Sequence, residues 1–339
     1  MTARKSEWTH PRPGLSSTKF GLYLPILTLL PVILFALAKS RFDGTSSELR
    51  IGINPWPGYE FATLADELGL IEATGAKVRL LEFSSLNDSR RAFERGQLDG
   101  LFCTLSDAVA CSTMATSPYI AAVTDYSNGC DALVASSSIQ SMSDLIGKRI
   151  GIEPNALAKY FLTRALEHNT LRIDDVVLVE FPQERLVREF MSGQLEAIVT
   201  YPPFLVNASK LDGCRTLFSS QNIPFEIADV LLVSSQLSAD KRRSLDGLLD
   251  AFFRARDKHL EHPQECLELM ARHERISTNE LKELLQMTKL VSRSEQAELL
   301  TPTSKLAETI RLHGEFPQLF GNAASNTIER TIEVLLPAK

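Results

Sequence analysis

The chain has 339 residues, 44% of them hydrophobic and 23% charged, with a formal net charge of −6 at pH 7. This composition excludes a disordered chain, and the length exceeds what one ordinary core needs, so two lobes are expected. The acidic balance, with no long basic run after the N-terminus, argues against nucleic acid as a partner.

Residues 1–19 carry Arg4, Lys5, Arg12 and Lys19 against the single acid Glu7 and read as a basic cytoplasmic n-region. An uncharged 19-residue stretch follows over 20–38, FGLYLPILTLLPVILFALA, then Lys39 and Arg41. At helical rise that length is close to the thickness of a bilayer core. With the basic flank first, the remainder of the chain is expected to face away from the cytoplasm. Two fates compete. Ala36-Leu37-Ala38 fits a signal-peptidase site, which would release the protein, and the length of the apolar run fits an uncleaved anchor. No Cys follows the run, so a lipid-modified N-terminus is not supported. Residues 39–48 read as a linker.

The folded part opens on LRIGINPWPGY at 49–59: a strand over 49–53, a proline-stiffened loop carrying Trp56 and Tyr59, and a helix from about 61 to 70. A second strand spans 77–82. The next loop holds Ser84 and Ser85, and Asn87 or Asp88 is expected to cap a helix over 89–95 that Gly96 ends. A third strand, 98–103, enters Thr104 and Ser106, with a helix over about 108–116. Three strand–loop–helix units in succession imply a parallel sheet, and their loops should converge at one edge.

The rhythm then changes. Strands are expected at 119–123 and 132–135, a turn ending at Gly147, a strand at 150–152, a helix over 156–169, a strand at 176–180, a helix over 183–192 and a strand at 195–200 leading into Tyr201-Pro202-Pro203-Phe204. This is a second α/β set. A strand at 229–234 follows, and from Ala239 onward the pattern is helical: a long helix with the stripe Leu245, Leu248, Leu249, Phe252 and Phe253, then helices at about 263–273, 278–289, 294–311 and 324–335. No internal sequence repeat is apparent. None of the five cysteines, Cys103, Cys111, Cys130, Cys214 and Cys266, forms a CxxC pair, which argues against structural zinc.

Four segments carry a family resemblance: IGINPWPGYE at 51–60, GQLDGLFCTLSDAVA at 96–110, NGCDALVASSSIQSMSDLIGKRIGIE at 128–153 and FMSGQLEAIVTYPPF at 190–204. Together they resemble the extracytoplasmic solute-binding proteins of the nitrate/sulfonate/taurine and thiamine-precursor kind, the SsuA/THI5-like or NMT1-like family. The resemblance implies an α/β, two-lobe periplasmic-binding-protein type II fold with a hinge and extra C-terminal helices. Lobe 1 would comprise 49–126 and 227–339, and lobe 2 would comprise 127–226, with the hinge near 127–130 and 223–226. It implies a periplasmic protein, free or tethered to the inner membrane by residues 20–38. Such a protein would capture a sulfonate-, taurine-, nitrate- or thiamine-precursor-like ligand for the permease and ATPase of an ABC importer. One alternative is a membrane-tethered sensing module that signals through a partner. Another is a pyrimidine-synthesising enzyme of the THI5-like kind, but that enzyme's cysteine cluster has no counterpart around Cys103. No GxSxG, HExxH or phosphate loop occurs, and no cofactor is expected.

The candidate ligand-binding residues are Trp56, Tyr59, Ser84, Ser85, Thr104, Ser106, Asn128, Asp131, Asn155, Tyr201 and Asp229. Ser84, Ser85, Thr104, Ser106 and Asn155 stand at helix starts, where free N–H groups and the dipole favour an anion. For each alone, ordinary capping competes. Trp56, Tyr59 and Tyr201 suit an aromatic wall, with Phe204 better suited to core packing. Asp107, Asp131, Glu153 and Asp229 gather near the predicted cleft, where an ionised member would pair with a ligand amine, against a structural role as cap or cross-link. His259, His262 and His273 fall in the helical region and suit a solvated face better than a metal.

Overall fold

The computed structural model describes residues 47–209, 211–320 and 328–336. The apolar stretch 20–38 and all but the end of the linker lie outside them. Among the described residues no helix is long and apolar enough to cross a membrane.

The first sheet begins with β1 (Leu49–Ile53), helices α1 (Glu60–Glu67) and α2 (Leu70–Ala73), β2 (Val78–Glu82), α3 (Leu86–Glu94), β3 (Gly100–Thr104), α4 (Leu105–Cys111) and β4 (Tyr119–Ser127). β1 pairs in parallel with both β2 and β3, as three successive crossover units require. β3 is buried along its whole length, which accounts for its unbroken run of small and apolar residues. Ser85, one turn earlier than Asn87 or Asp88, caps α3: its Oγ accepts the Asp88 N–H at 3.2 Å. The predicted cap therefore moves back, because a residue must leave the helical φ/ψ region before it can cap, and Ser85 is extended at φ −147°.

The second sheet follows: β5 (Ala132–Ala135), β6 (Arg149–Ile152), α5 (Ala156–Glu167), β7 (Val177–Glu180), α6 (Gln183–Met191), β8 (Ala197–Thr200), α7 (Phe204–Ser209) and β9 (Arg215–Ser219). The chain then returns to the first sheet with β10 (Ala228–Val233), which runs antiparallel between β3 and β4. With β11 (Thr288–Leu290) at one edge, the strand orders are β11-β4-β10-β3-β1-β2 and β7-β6-β8-β5-β9.

The two sheets are built on one repeated unit, which corrects the expectation of no repeat. Arg50-Ile51-Gly52-Ile53 and Arg149-Ile150-Gly151-Ile152 are the same four residues in the first strand of each set. In both, the glycine lets a leucine pack against the backbone: a Cβ on Gly52 would lie 2.6 Å from Leu98 Cδ1, and one on Gly151 2.6 Å from Leu195 Cδ1. In both, the arginine meets an acid just beyond the helix that follows the neighbouring parallel strand, α3 in one set and α6 in the other. The Arg50 N–H and Arg149 N–H each donate to a carboxylate at 2.9 Å, of Asp99 and Glu196 respectively. Sequence comparison alone misses this because the helices between the matched strands share little beyond their apolar spacing.

The C-terminal part contains α8 (Ala239–Glu261), α9 (Pro263–Glu274), α10 (Thr278–Gln286), β11 (Thr288–Leu290), α11 (Gln296–Leu299), α12 (Lys305–Gly314), α13 (Pro317–Phe320) and α14 (Ile328–Leu335). α8 buries Leu245, Leu248, Phe252 and Phe253, while Leu249 stays partly exposed. Phe252 packs between Phe61 and Phe102, with ring centroids 6.2 and 6.0 Å away, and full burial of such a side chain stabilises by about 1.5–3 kcal/mol. The helix expected over 278–289 ends early because Thr288 to Leu290 pair with Ser127 to Asp125 at the edge of β4. The helix expected over 294–311 is broken around Pro302, and a new one starts where Ser304 Oγ accepts the Ala307 N–H at 3.2 Å.

Segments 128–131 and 220–227 carry the chain between the sheets, and Ser220 fastens one to the other. Its Oγ lies 2.8 Å from Ser127 Oγ and accepts the Gly129 N–H at 2.6 Å, while its N–H donates to the Asp131 carbonyl at 2.9 Å. Gly129 sits at φ +123°, which only glycine adopts freely. A second bridge links the halves farther out. Tyr160 of α5 stacks on His313 of α12 at 4.1 Å and meets Phe316 edge-on at 5.5 Å.

Candidate functional site

A pocket opens where the strand ends of the two sheets face each other, with about 390 Å³ of empty space including its mouth. From the first sheet come Asn54, Pro55, Trp56 and Tyr59 after β1, Leu86 at the start of α3, Thr104 at the end of β3 and Asp229 on β10. From the second come Asp131, Asn155, Leu157 and Tyr201, and Ile227 of the crossover completes the wall.

The Trp56 loop is held from three sides. The Trp56 backbone N–H donates to Glu274 Oε1 at 3.0 Å, and its indole Nε1 donates to Asp125 Oδ1, also at 3.0 Å. Asp125 Oδ2 accepts from Thr124 Oγ1 at 2.8 Å. Gly58 lies directly against this carboxylate: a Cβ there would fall 1.9 Å from Asp125 Oδ2. Glu274 belongs to a buried acid pair with Glu60, and burial with that neighbouring charge pushes it up to about 8. His273 bridges Glu60 and Glu82 through its two ring nitrogens, at 2.9 and 3.0 Å, which raises it to about 9.

At the floor, Thr104, Asp229 and Asp125 stand side by side on β3, β10 and β4, in register. Asp125 was not among the sequence candidates, because its strand was ended at Val123. The Tyr59 hydroxyl donates to Asp229 Oδ1 at 2.5 Å. Asp131 and Asp229 are each 2% exposed, and neither Oδ2 receives a hydroxyl, amide or cationic donor, but the Asp229 and Asp125 carboxyl groups are close enough to share a hydrogen bond. Burial raises Asp125 and Asp131 to about 6. Burial, with Asp125 close by, holds Asp229 well above the usual carboxylate range. Glu153 is also raised by burial, and it accepts from the Tyr201 hydroxyl at 2.9 Å and from Asn155 Nδ2 at 3.1 Å.

The predicted helix-start residues are engaged by the protein itself. Thr104 Oγ1 donates to Asp107 Oδ2 at 2.7 Å and accepts the Asp107 N–H at 3.2 Å. Asn155 Oδ1 accepts the Ala158 N–H at 2.8 Å. Ser84 and Ser85 lie outside the pocket, in an adjoining groove with Asp88 and Arg91. Ser106 points away from it, against His313: the Nδ1 of that ring faces the Thr309 carbonyl at 2.8 Å, so Nε2 receives the Ser106 hydroxyl, also at 2.8 Å. Burial lowers His313 to about 4, so it is neutral. Asn128 is exposed in the crossover, where its carbonyl accepts from Gln221. All five cysteines are free. Among the described residues no group of three or more His, Cys, Asp or Glu is arranged for a metal.

The model of the NMT1-like family matches residues 43–272. The chain belongs to the NMT1-like family. A curated relative from Brucella abortus (strain 2308), provisionally titled a binding protein, is 22% identical over 254 residues, covering 73% of this chain and 75% of its own. Among solved structures, the periplasmic aliphatic sulphonate binding protein SsuA from Escherichia coli superposes with a TM-score of 0.68 at 16% identity, covering 85% of this chain and 97% of that one. The desulfurization enzyme DSZB superposes with a TM-score of 0.57 at 17% identity, covering 84% of this chain and 99% of that one. The fold is therefore the α/β type II periplasmic-binding-protein fold, which a sulphonate-binding protein and a desulfurization enzyme share.

Proposed function

We propose that this NMT1-like protein is an extracytoplasmic solute-binding protein that closes its two lobes on a small organic ligand and delivers it to an ABC importer. The observation that carries the reading is the pocket itself, walled from both sheets and joined across two short crossovers, so that a ligand touching both walls favours closure. The titles of the sulphonate-binding and Brucella relatives support the same class. The lobes would be 49–126 with 227–339, and 127–226. The basic flank and apolar stretch at the N-terminus support export, by a signal peptide or an anchor. An enzyme reading finds less support, because the site offers neither a thiol nor a nucleophile paired with a base: Cys103 is buried, and the Ser106–His313 pair is enclosed behind α12.

The test is emission of Trp56 in a full-length Trp8→Phe variant, titrated with small organic solutes while melting temperature is followed. Saturable change in both supports capture in the pocket. A rise in melting temperature with silent emission moves the ligand away from Trp56, and turnover of any solute would favour the catalytic branch of the fold.

A further inference from the structure

Resting on that solute-binding reading, we propose that the pocket selects a small organic cation carrying N–H donors, a primary ammonium or amidinium on a one-ring or short apolar body, held between Asp131 of one wall and Asp229 of the other. The two residues line the same pocket from different sheets, both are almost wholly buried, and neither Oδ2 receives a hydroxyl, amide or cationic donor. A buried acceptor left unmatched carries the full desolvation penalty, and both of these belong to residues that line one pocket; an N–H donor arriving with the ligand would match the Asp131 oxygen and compete with Asp125 for Asp229.

Charge points the same way. No lysine, arginine or histidine is among the residues that line the pocket. Arg256 acts on Asp125 from α8 but does not reach the lining, and Arg91 of the adjoining groove faces Asp88. An anion would meet Asp131 and Asp229 directly, with Asp125 and Glu153 behind them. Two of the helix starts that might have held it carry acids, Asp88 and Asp107 in the first turns of α3 and α4, with the Thr104 hydroxyl proton going to Asp107; at the third, α5, no acid stands in the first turn and the Asn155 side chain takes the Ala158 N–H.

The donor must be N–H rather than quaternary. A quaternary ammonium offers charge but no hydrogen, and would give neither Oδ2 a donor. The Tyr59 hydroxyl already serves Asp229 Oδ1, so Oδ2 is the oxygen left for the ligand. Trp56, Tyr59 and Tyr201 supply rings, and Leu86, Leu157 and Ile227 supply an apolar sheath for the rest of the molecule.

Three probes share one ring and differ only in head group: benzylamine, benzyltrimethylammonium and benzenesulfonate. Each is titrated into the full chain, into Asp131→Asn and into Asp229→Asn, with melting temperature and tryptophan emission as readouts. Benzylamine is expected to bind saturably, and to weaken at least tenfold in either variant and on trimethylation, while benzenesulfonate leaves both readouts flat. The near-isosteric variants each remove a buried carboxylate that lacks a full set of partners, and their own melting curves report that they fold. Saturable benzenesulfonate binding with benzylamine silent overturns the charge assignment and leaves the solute-binding reading standing. Benzylamine binding that neither variant weakens overturns the assignment of Asp131 and Asp229. Silence with all three probes at millimolar concentration overturns the inference and leaves the solute-binding reading to the wider titration of small organic solutes.

Discussion

Gly58→Ala tests how the site is held. Gly58 does not lie in the left-handed region, so its requirement is space and not φ. The new methyl would sit 1.9 Å from Asp125 Oδ2 and 2.5 Å from its Cγ, and that carboxylate cannot swing freely. Its Oδ1 is held by the Trp56 indole at 3.0 Å and its Oδ2 by Thr124 at 2.8 Å. Accommodating the methyl means moving either the carboxylate, which breaks both bonds, or the loop, which breaks the indole bond and the Trp56 N–H bond to Glu274. A bond to an ionised acceptor contributes about 1.5–3 kcal/mol and one to a neutral acceptor, as Glu274 is below about pH 8, about 0.5–1.5 kcal/mol; partial relaxation recovers some of that, so a loss of about 2–4 kcal/mol is expected. Urea unfolding gives the stability, and Trp56 emission in a Trp8→Phe background reports the indole bond. A variant within about 0.5 kcal/mol of the parent, with unchanged emission, would refute the reasoning.

Four further outcomes follow from the same geometry. Buried acids with raised pKa values destabilise the fold as pH rises: Asp125 and Asp131 between their ordinary range and about 6, Glu274 up to about 8. His273, raised to about 9 by its carboxylate partners, contributes stability that is complete below its ordinary range and lost as pH rises through 9, in the same direction. The unfolding free energy measured with urea should therefore fall from pH 5 to pH 8, by an amount on the order of several kcal/mol, and a rise would contradict the burial of these acids. Asp99→Ala should cost about 3–5 kcal/mol, because it strands the buried Lys241 ammonium that now lies 2.9 Å from both carboxylate oxygens. Glu196→Ala, at the matching place in the second sheet, breaks a pair whose arginine side chain is 44% exposed and should cost no more than about 1 kcal/mol. Ser106→Ala leaves the buried His313 Nε2 without its donor and should lose about 1–3 kcal/mol while ligand affinity stays unchanged; weakened affinity would return Ser106 to the site.

Much of this fold is legible in the residues, for reasons that differ along the chain. β1, β2 and β6 announce themselves by apolar runs bounded by turn residues, and Gly96 and Gly193 mark helix ends at φ +72° and +74°. β9, with Arg215 and Thr216, looks like loop, and β11, with Thr288 and Lys289, looks like the end of a helix, because what makes them strands is pairing with β5 and β4. The site divides along the same line. Trp56, Tyr59, Asn155 and Tyr201 stand in strand-to-helix loops, where position alone marks them. Asp125 lies inside a strand, and its place beside Asp229 depends on an antiparallel register that no local pattern encodes. Ser106 shows the converse. It occupies the right loop, but a helix 207 residues later takes its hydroxyl.

The repeated unit explains where the chemistry resides. Both halves spend their matched residues on scaffold: the Arg–Ile–Gly–Ile strand, the leucine over its glycine and the acid that receives the arginine. The first position after each strand is where they part. In one half it is Asn54, an amide on the pocket wall whose Oδ1 has no partner; in the other it is Glu153, a carboxylate braced by Tyr201 and Asn155. A proline follows in each case, so the backbone exit stays alike while the side chain changes from neutral to acidic. The two positions therefore differ in chemistry and in place: Asn54 lines the pocket, while Glu153 lines the adjoining groove beside Ser84 and Ser85. Exchanging the two residues, Asn54→Glu with Glu153→Asn, keeps the total charge and should leave the fold intact while abolishing capture, because the acid would then stand on the wall that lacks Tyr201 to receive it.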